Sequence, residues 1–304
     1  PNSDFNLDQY LNAIQSELTA FGFDTTIVMK DKNIAPTEME NAFLELQEMN
    51  QPEILKDMLS TSAKFGYTEQ FVSTLKISEE KKFITDLEKT NLVQTLVRNG
   101  HCDLVATYKD YIMETKLIEP EPKFVYVPLA YDAVINSQLD IMQTFYEWGQ
   151  DISKITPYNL PIIVYAKNQE MCKYVWNLMS KDAQNIMNNN FMKTDFLQKL
   201  IMHPSYVDFL CYFCENHATM DMKALLLTTI ISDKYATILS FPISQVRRIL
   251  TSLKDIQNKN EIVQKMQDKF KKYWESIKDK EISKEEQNSI QIVIDLVNQI
   301  LAQN

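Results

Sequence analysis

The fold is read from the stretch Asn99-Gly100-His101-Cys102-Asp103-Leu104-Val105. Upstream of it Leu92, Val93, Leu96 and Val97 recur on one face of a helix, and downstream Leu104, Val105, Tyr108, Tyr111 and Ile112 take up the same period. Gly100 suits the left-handed backbone that ends a helix, because it has no Cβ to meet the following carbonyl. Asp103 puts a carboxylate in the first turn of the second helix, where unpaired N–H groups favour negative charge. The stretch predicts two helices folded back on each other through a tight polar turn.

The turn recurs in worn form. Ala63-Lys64-Phe65-Gly66 precedes Glu69-Gln70-Phe71-Val72, and Ala133-Val134-Ile135-Asn136-Ser137 precedes Leu139-Asp140-Ile141-Met142. Ala166-Lys167-Asn168-Gln169 precedes Met171-Cys172-Lys173-Tyr174-Val175, and Met202-His203-Pro204-Ser205 precedes Val207-Asp208-Phe209-Leu210. Turn positions 66, 100, 137, 169 and 204 lie 34, 37, 32 and 35 residues apart. The run at 99–105 resembles the inter-helix turn of an ankyrin repeat, whose period is about 33; the tetratricopeptide period is about 34. Glu147-Trp148-Gly149-Gln150-Asp151-Ile152 is similar to the ankyrin ending Glu-x-Gly-x-Asp-Val. The resemblance spans residues 53–216 and includes no catalytic motif. No Thr-Pro-Leu-His tetrad is present; Pro128-Leu129 falls one position early, and Pro161-Ile162 is the other echo. It implies an all-α helical-repeat solenoid of ankyrin-like or tetratricopeptide-like helix pairs. Another helix-pair solenoid and an irregular helical domain stand as alternatives.

Composition agrees with a helix-rich chain. Hydrophobic residues at 45% are ample for a core, and a solenoid of 304 residues grows by adding neighbours rather than by enlarging one core. The four glycines, Gly22, Gly66, Gly100 and Gly149, stand alone, so no Gly-rich phosphate loop or dinucleotide fingerprint exists. Cys102, Cys172, Cys211 and Cys214 show no disulfide-framework spacing, as in a reducing cytosol. No signal peptide and no uncharged run of 18 apolar residues are visible, so the expectation is a cytoplasmic chain without membrane insertion. Residues 1–152 hold 25 Asp+Glu against 12 Lys+Arg (−13), and residues 153–304 hold 16 against 19 (+3), summing to −10. That is no nucleic-acid footprint; an acidic half steers a basic protein surface, or serves only solubility.

Three segments follow: an N-terminal helical cap at 1–52, helix-pair repeats at 53–240 and a C-terminal helical cap at 241–304. In the first, residues 4–21 read as an amphipathic helix, Asp24 to Ala35 as an extended connector, and Pro36-Thr37-x-x-Glu40 as a helix start. Glu119-Pro120-Glu121-Pro122 is a non-helical break. Asn188-Asn189-Asn190 reads as another loop. Ile249, Ile256, Val263, Phe270 and Ile277 fall at seven-residue spacing, but the companion positions Asn260 and Gln267 are polar. One or two helices packed along the repeat end are therefore predicted instead of a free coiled coil. Ser283-x-x-Glu286 caps the last helix.

Cys211-x-x-Cys214-x-x-His217, with His203 nearby, has metal-ligand residue types. Its surroundings, Phe209 to Phe213, read as a buried helix using Cys as a small apolar residue, so no metal is assigned. No Gly-x-Ser-x-Gly or His-Glu-x-x-His occurs, no catalytic residue is named and no cofactor is implied. The ankyrin resemblance gives His101 a turn-stabilising hydrogen bond and directs Gln94, Arg98, Tyr131, Asp132 and Ile135 toward the concave face. Trp148 is a further candidate anchor, since Trp and Tyr dominate binding hot spots, although filling the core is its commoner use.

Worn eukaryote-like repeats in a chain rich in Asn, Lys, Ile and Met look like the translocated effectors of Legionella. Within that group a repeat protein without an active site is similar to a metaeffector, which binds and restrains another bacterial effector. The resemblance implies a binding module, not an enzyme, working in the bacterial cytoplasm or, after translocation, the host cytosol. Its partner would be another protein with a basic surface. An effector acting directly on a host protein, or an enzyme whose site assembles only in three dimensions, is the alternative.

Overall fold

The computed structural model describes residues 44, 47–48, 51–119, 127–232, 237–256, 259–277 and 284–301. The expected helix at 4–21, the connector at 24–35, the Pro36–Glu40 helix start, the Pro120–Pro122 part of the break and the Ser283 cap lie outside these. Among the described residues the protein is all-α, with fifteen α-helices, five short 3₁₀ turns and no strand. No described helix is long and apolar enough to cross a membrane. The chain divides into two compact units, Pro1–Gln150 and Asp151–Asn304. The first holds 24 Asp+Glu against 12 Lys+Arg and the second 17 against 19, so the units carry −12 and +2.

In the first unit α1 (Pro52–Phe65) starts on a proline and buries Ile54, Leu55, Met58 and Leu59. Gly66, at φ 76°, turns the chain into α2 (Thr68–Glu80). α3 (Asp86–Asn99) opens on a capping box, in which Glu88 N–H donates to Thr85 Oγ1 and Thr85 N–H donates back to Glu88 Oε2. Gly100, at φ 78°, ends it. The expected second helix of this pair is broken at Tyr108 into α4 (Cys102–Thr107) and α5 (Lys109–Glu114). The break leaves the Tyr108 ring buried, with Lys89 Nζ 5.6 Å from its centroid and 4.8 Å from that of Tyr111. α6 (Leu129–Ile135) and α7 (Leu139–Glu147) meet at Ser137, left-handed at φ 58° without being glycine. α3 packs against α1 on one side and α6 on the other.

Successive turns of this unit are tied together in one register. His101, just after Gly100, donates from Nε2 to Lys64 O, two residues before Gly66, at 3.1 Å. Gln138, just after Ser137, donates from Nε2 to Arg98 O, two residues before Gly100, at 2.8 Å. The closeness is possible because the earlier turn lacks a Cβ. A Cβ on Gly66 would lie 2.5 Å from the His101 ring, and one on Gly100 would lie 2.4 Å from Gln138 Oε1.

The second unit opens with three 3₁₀ turns, Ile152–Lys154, Pro157–Asn159 and Ile162–Tyr165. α8 (Gln169–Leu178) is capped by Asn168, and α9 (Lys181–Phe191) by Ser180. Asn188–Asn190 belong to α9, against the loop expected there. Met187 and Phe191 are buried one turn apart, and that apolar pair holds the helix through three residues of modest propensity. α10 (Thr194–Ile201) leads to α11 (Val207–Asn216), which is buried on nearly every side and packs against α8. Phe191 and Phe213 stack at 4.0 Å, and Trp176 meets Phe213 edge-on at 5.7 Å. α12 (Met220–Ser232), α13 (Ile243–Ser252) and α14 (Lys259–Ile277) follow. The seven-residue stripe thus spans two helices. α15 (Lys284–Leu301) covers α13 and α14 with Ile290, Val293, Val297 and Leu301.

Gly66→Ala is expected to cost about 2 kcal/mol or more, from the left-handed backbone (about 1–2 kcal/mol) and the clash with His101. In a His101→Ala background the clash is gone and the cost should fall to about 1 kcal/mol. Chemical denaturation of the four proteins measures the coupling; strictly additive effects would show that the turns do not press on each other.

Candidate binding face

α3 carries two of the residues that the sequence singles out, Gln94 and Arg98. Leu87, Asn91, Gln94 and Arg98 recur along it as one open ridge, and Leu87 is 54% exposed. On the α6 side Arg98 Nε donates to Asp132 Oδ1 at 2.8 Å and Gln94 Nε2 donates to Asp132 Oδ2 at 3.3 Å. Gln94, Arg98 and Asp132 are therefore brought together. The pair is lopsided: the Asp132 side chain is 5% exposed and that of Arg98 50%. Burial raises the Asp132 carboxyl above the usual carboxylate range, and the bonds from Arg98 and Gln94 offset only part of that. Tyr131 and Ile135, also on α6, are half-buried. Trp148 belongs to another cluster, resting against Phe145 at 5.7 Å with Lys109 Nζ 5.6 Å over its ring.

On its α1 side the ridge borders a groove that the sequence reading missed. Lys56, Leu59 and Ser60 of α1 face Ile84, Glu88, Asn91, Leu92 and Thr95 across a cavity of about 180 Å³. Lys56 Nζ lies 2.7 Å from Glu88 Oε1, at side-chain exposures of 40% and 35%. The signal for Glu88 was present in Thr85-x-x-Glu88, a capping-box spacing that pins its carboxylate to the first turn of a helix. The Lys56 ammonium, then the Thr85 N–H, pull the Glu88 carboxyl from 4.5 down to about 2.

The second unit has a larger cavity of about 550 Å³, between the Asn159–Pro161 turn and the start of α10. Tyr158 and Asn159 beside it both take left-handed backbone, at φ 51° and 61°, and Tyr158 stands 67% exposed. Cys211, Cys214 and Cys172 lie in the core. Burial pushes Cys211 up to about 11 and both Cys172 and Cys214 up to about 12, so these sulfurs stay protonated. His217 stacks on Trp176 at 4.0 Å with Nε2 3.1 Å from Tyr212 Oη, and burial lowers its pKa. His203 is exposed, its Nδ1 engaged by Ser205. Among the described residues no three or more His, Cys, Asp or Glu side chains gather closely enough to hold a metal ion. Cys102 is half-buried, its Sγ 3.0 Å from Thr144 Oγ1.

Two outcomes follow from these environments. In native protein a thiol-specific reagent should modify Cys102 promptly and the other three cysteines only on unfolding. Fast labelling of several would contradict their burial. Glu88 is depressed in the folded state, so its stabilisation is present above about pH 4.5 and lost as pH falls toward about 2. Glu88→Gln should flatten that part of the acid-unfolding curve, and an unchanged slope would place the acid sensitivity elsewhere.

Compared with known proteins, the chain matches no family model, no curated protein and no solved structure.

Proposed function

We propose that this protein is a helical-repeat module that binds and regulates another protein through the face formed by α1, α3 and α6. The observation that carries the reading is the shared register of the two inter-turn bonds, His101 to Lys64 O and Gln138 to Arg98 O. Helix pairs tied at one interval set their first helices side by side and leave one face of that row open, which is how repeat proteins present a binding surface. The ridge of α3 lies on that face, flanked by the groove and by the buried Asp132. The partner carries basic side chains, because the first unit bears a net −12. Gln94, Arg98 and Asp132 set the register of docking, Tyr131 and Ile135 supply apolar contact, and Trp148, in its separate cluster beside Phe145 and Lys109, is a further candidate anchor outside this face. In this reading the chain acts as a metaeffector does, restraining another bacterial effector in the bacterial cytoplasm or, after translocation, in the host cytosol. The repeats run from 53 to 240, capped at 1–52 and 241–304.

Affinity capture from host and bacterial lysates with mass spectrometry supplies the partner, and its kinetics test the reading. Raising ionic strength from about 0.05 to 0.5 M shortens the screening length from roughly 14 to 4 Å. The association rate should fall about tenfold or more while dissociation changes little. Tyr131→Ala should act mainly on dissociation. Association indifferent to salt, or a footprint confined to residues 241–304, overturns the proposal.

A further inference from the structure

The groove between α1 and α3 narrows the kind of partner, on the proposed reading of this face as a protein-binding surface. Its volume of about 180 Å³ holds roughly six waters at ~30 Å³ each, and small-molecule pockets begin near ~300 Å³. It is the size of a socket for one large side chain. Leu59, Ile84 and Leu92 make its walls apolar, while Asn91, Thr95 and Ser60 stand at its edge. Water lying against the apolar walls has partners only toward the polar rim, so an apolar side chain that displaces it from the walls gains affinity.

The rim adds a charge. The Glu88 carboxylate is fixed in place by Thr85 and stays ionised far into acid. Its present cation, Lys56, sits on a long flexible stem and is 40% exposed. The pair is a third or more exposed, so solvent screens it, and a second cation that takes the place of Lys56 restores the same charge contact to Glu88. Glu88, unlike Asp132, is therefore an acid whose partner can be exchanged. Leu87, 54% exposed on the same ridge, extends the apolar contact outward.

We propose that the α1–α3 groove takes a basic amphipathic segment of the partner protein, with one large apolar side chain seated between Leu59 and Leu92 and one Lys or Arg displacing Lys56 at Glu88. On a helix those two side chains lie three or four residues apart.

The test uses the full chain and a labelled 14-residue peptide carrying one Leu and one Arg four residues apart on an Ala/Gln background. NMR titration should shift signals of residues 56–60 and 84–95. Replacing the peptide Leu by Ala or its Arg by Glu should weaken binding at least tenfold. Ser60→Trp, at an exposed position on the rim, fills the socket and should also weaken binding tenfold or more; Thr95→Trp repeats the test if Ser60→Trp fails to fold. Lys56→Ala removes the internal competitor and should tighten binding about threefold, which a purely structural ion pair would not do. A peptide that shifts nothing in this region, or binding unmoved by Ser60→Trp and Lys56→Ala, overturns the proposal. So does self-association of the chain abolished by Ser60→Trp, which would make a second copy the occupant. If the captured partner binds Ser60→Trp and wild type equally, the groove assignment falls and the binding-module reading stands. If the peptide binds but no partner associates with salt-sensitive kinetics, the reverse holds.

Discussion

The missing Cβ at Gly66 is the constraint on which the first unit depends. The turn there is left-handed, a conformation that costs any other residue roughly 1–2 kcal/mol. It is also the surface against which the next turn rests, since the His101 ring would stand 2.5 Å from a methyl at that position. A local backbone requirement and a long-range packing requirement thus fall on one atom that is absent. Gly100 repeats the arrangement with Gln138. Each polar side chain also satisfies a helix-terminal carbonyl, Lys64 O or Arg98 O, that no intrahelical donor reaches. The turns are therefore spaced by hydrogen bonds of fixed length, and the helices that enter them are held side by side.

The turns at Gly66 and Gly100 were legible because their causes are local, whereas at Ala166–Gln169 the expected first helix is only the 3₁₀ turn Ile162–Tyr165. A glycine after an apolar stripe, then a polar residue and an acid, encodes helix, left-handed turn and helix within about eight residues. The fate of Gln94, Arg98 and Asp132 was legible only in part. Their position on facing helices follows from the repeat spacing, but the burial of Asp132 beneath half-exposed Arg98 depends on how far α6 leans onto α3. The α1–α3 groove was not legible at all. It is a gap left by the packing of residues 24 or more positions apart, such as Leu59 and Ile84, and a periodicity records neighbours without recording spaces. Asn188–Asn190 failed for a related reason: three residues of weak helical preference were outvoted by Met187 and Phe191, whose burial is a tertiary fact.

The second unit is organised differently. Its α11 buries Val207, Phe209, Leu210, Cys211, Tyr212, Phe213 and Cys214, and only Asp208 and the C-terminal Glu215 and Asn216 reach solvent. Such a helix must sit at the centre of its neighbours. The cysteines there replace larger apolar residues where α8 and α13 come close, and the same burial that makes them good packing atoms removes their reactivity. His217 follows the same logic. Stacked on Trp176, it is disfavoured as a cation, and its depressed pKa belongs to an aromatic core element.

Two acid–base pairs flank the ridge of α3, and their difference in burial sorts their roles. Asp132 has given up nearly all its water and is held by Arg98 and Gln94; removing its cation would leave a buried charge with only the Gln94 amide to offset it. That pair stays closed through any encounter and fixes where α3 and α6 lie. Glu88 keeps much of its water, and its carboxylate is oriented by the Thr85 N–H and hydroxyl whether or not Lys56 is present. Loss of Lys56 to another cation leaves the helix start intact. A surface that combines one pair too buried to open with one too exposed to resist exchange has a fixed edge and an available charge, and the apolar socket lies next to the available one.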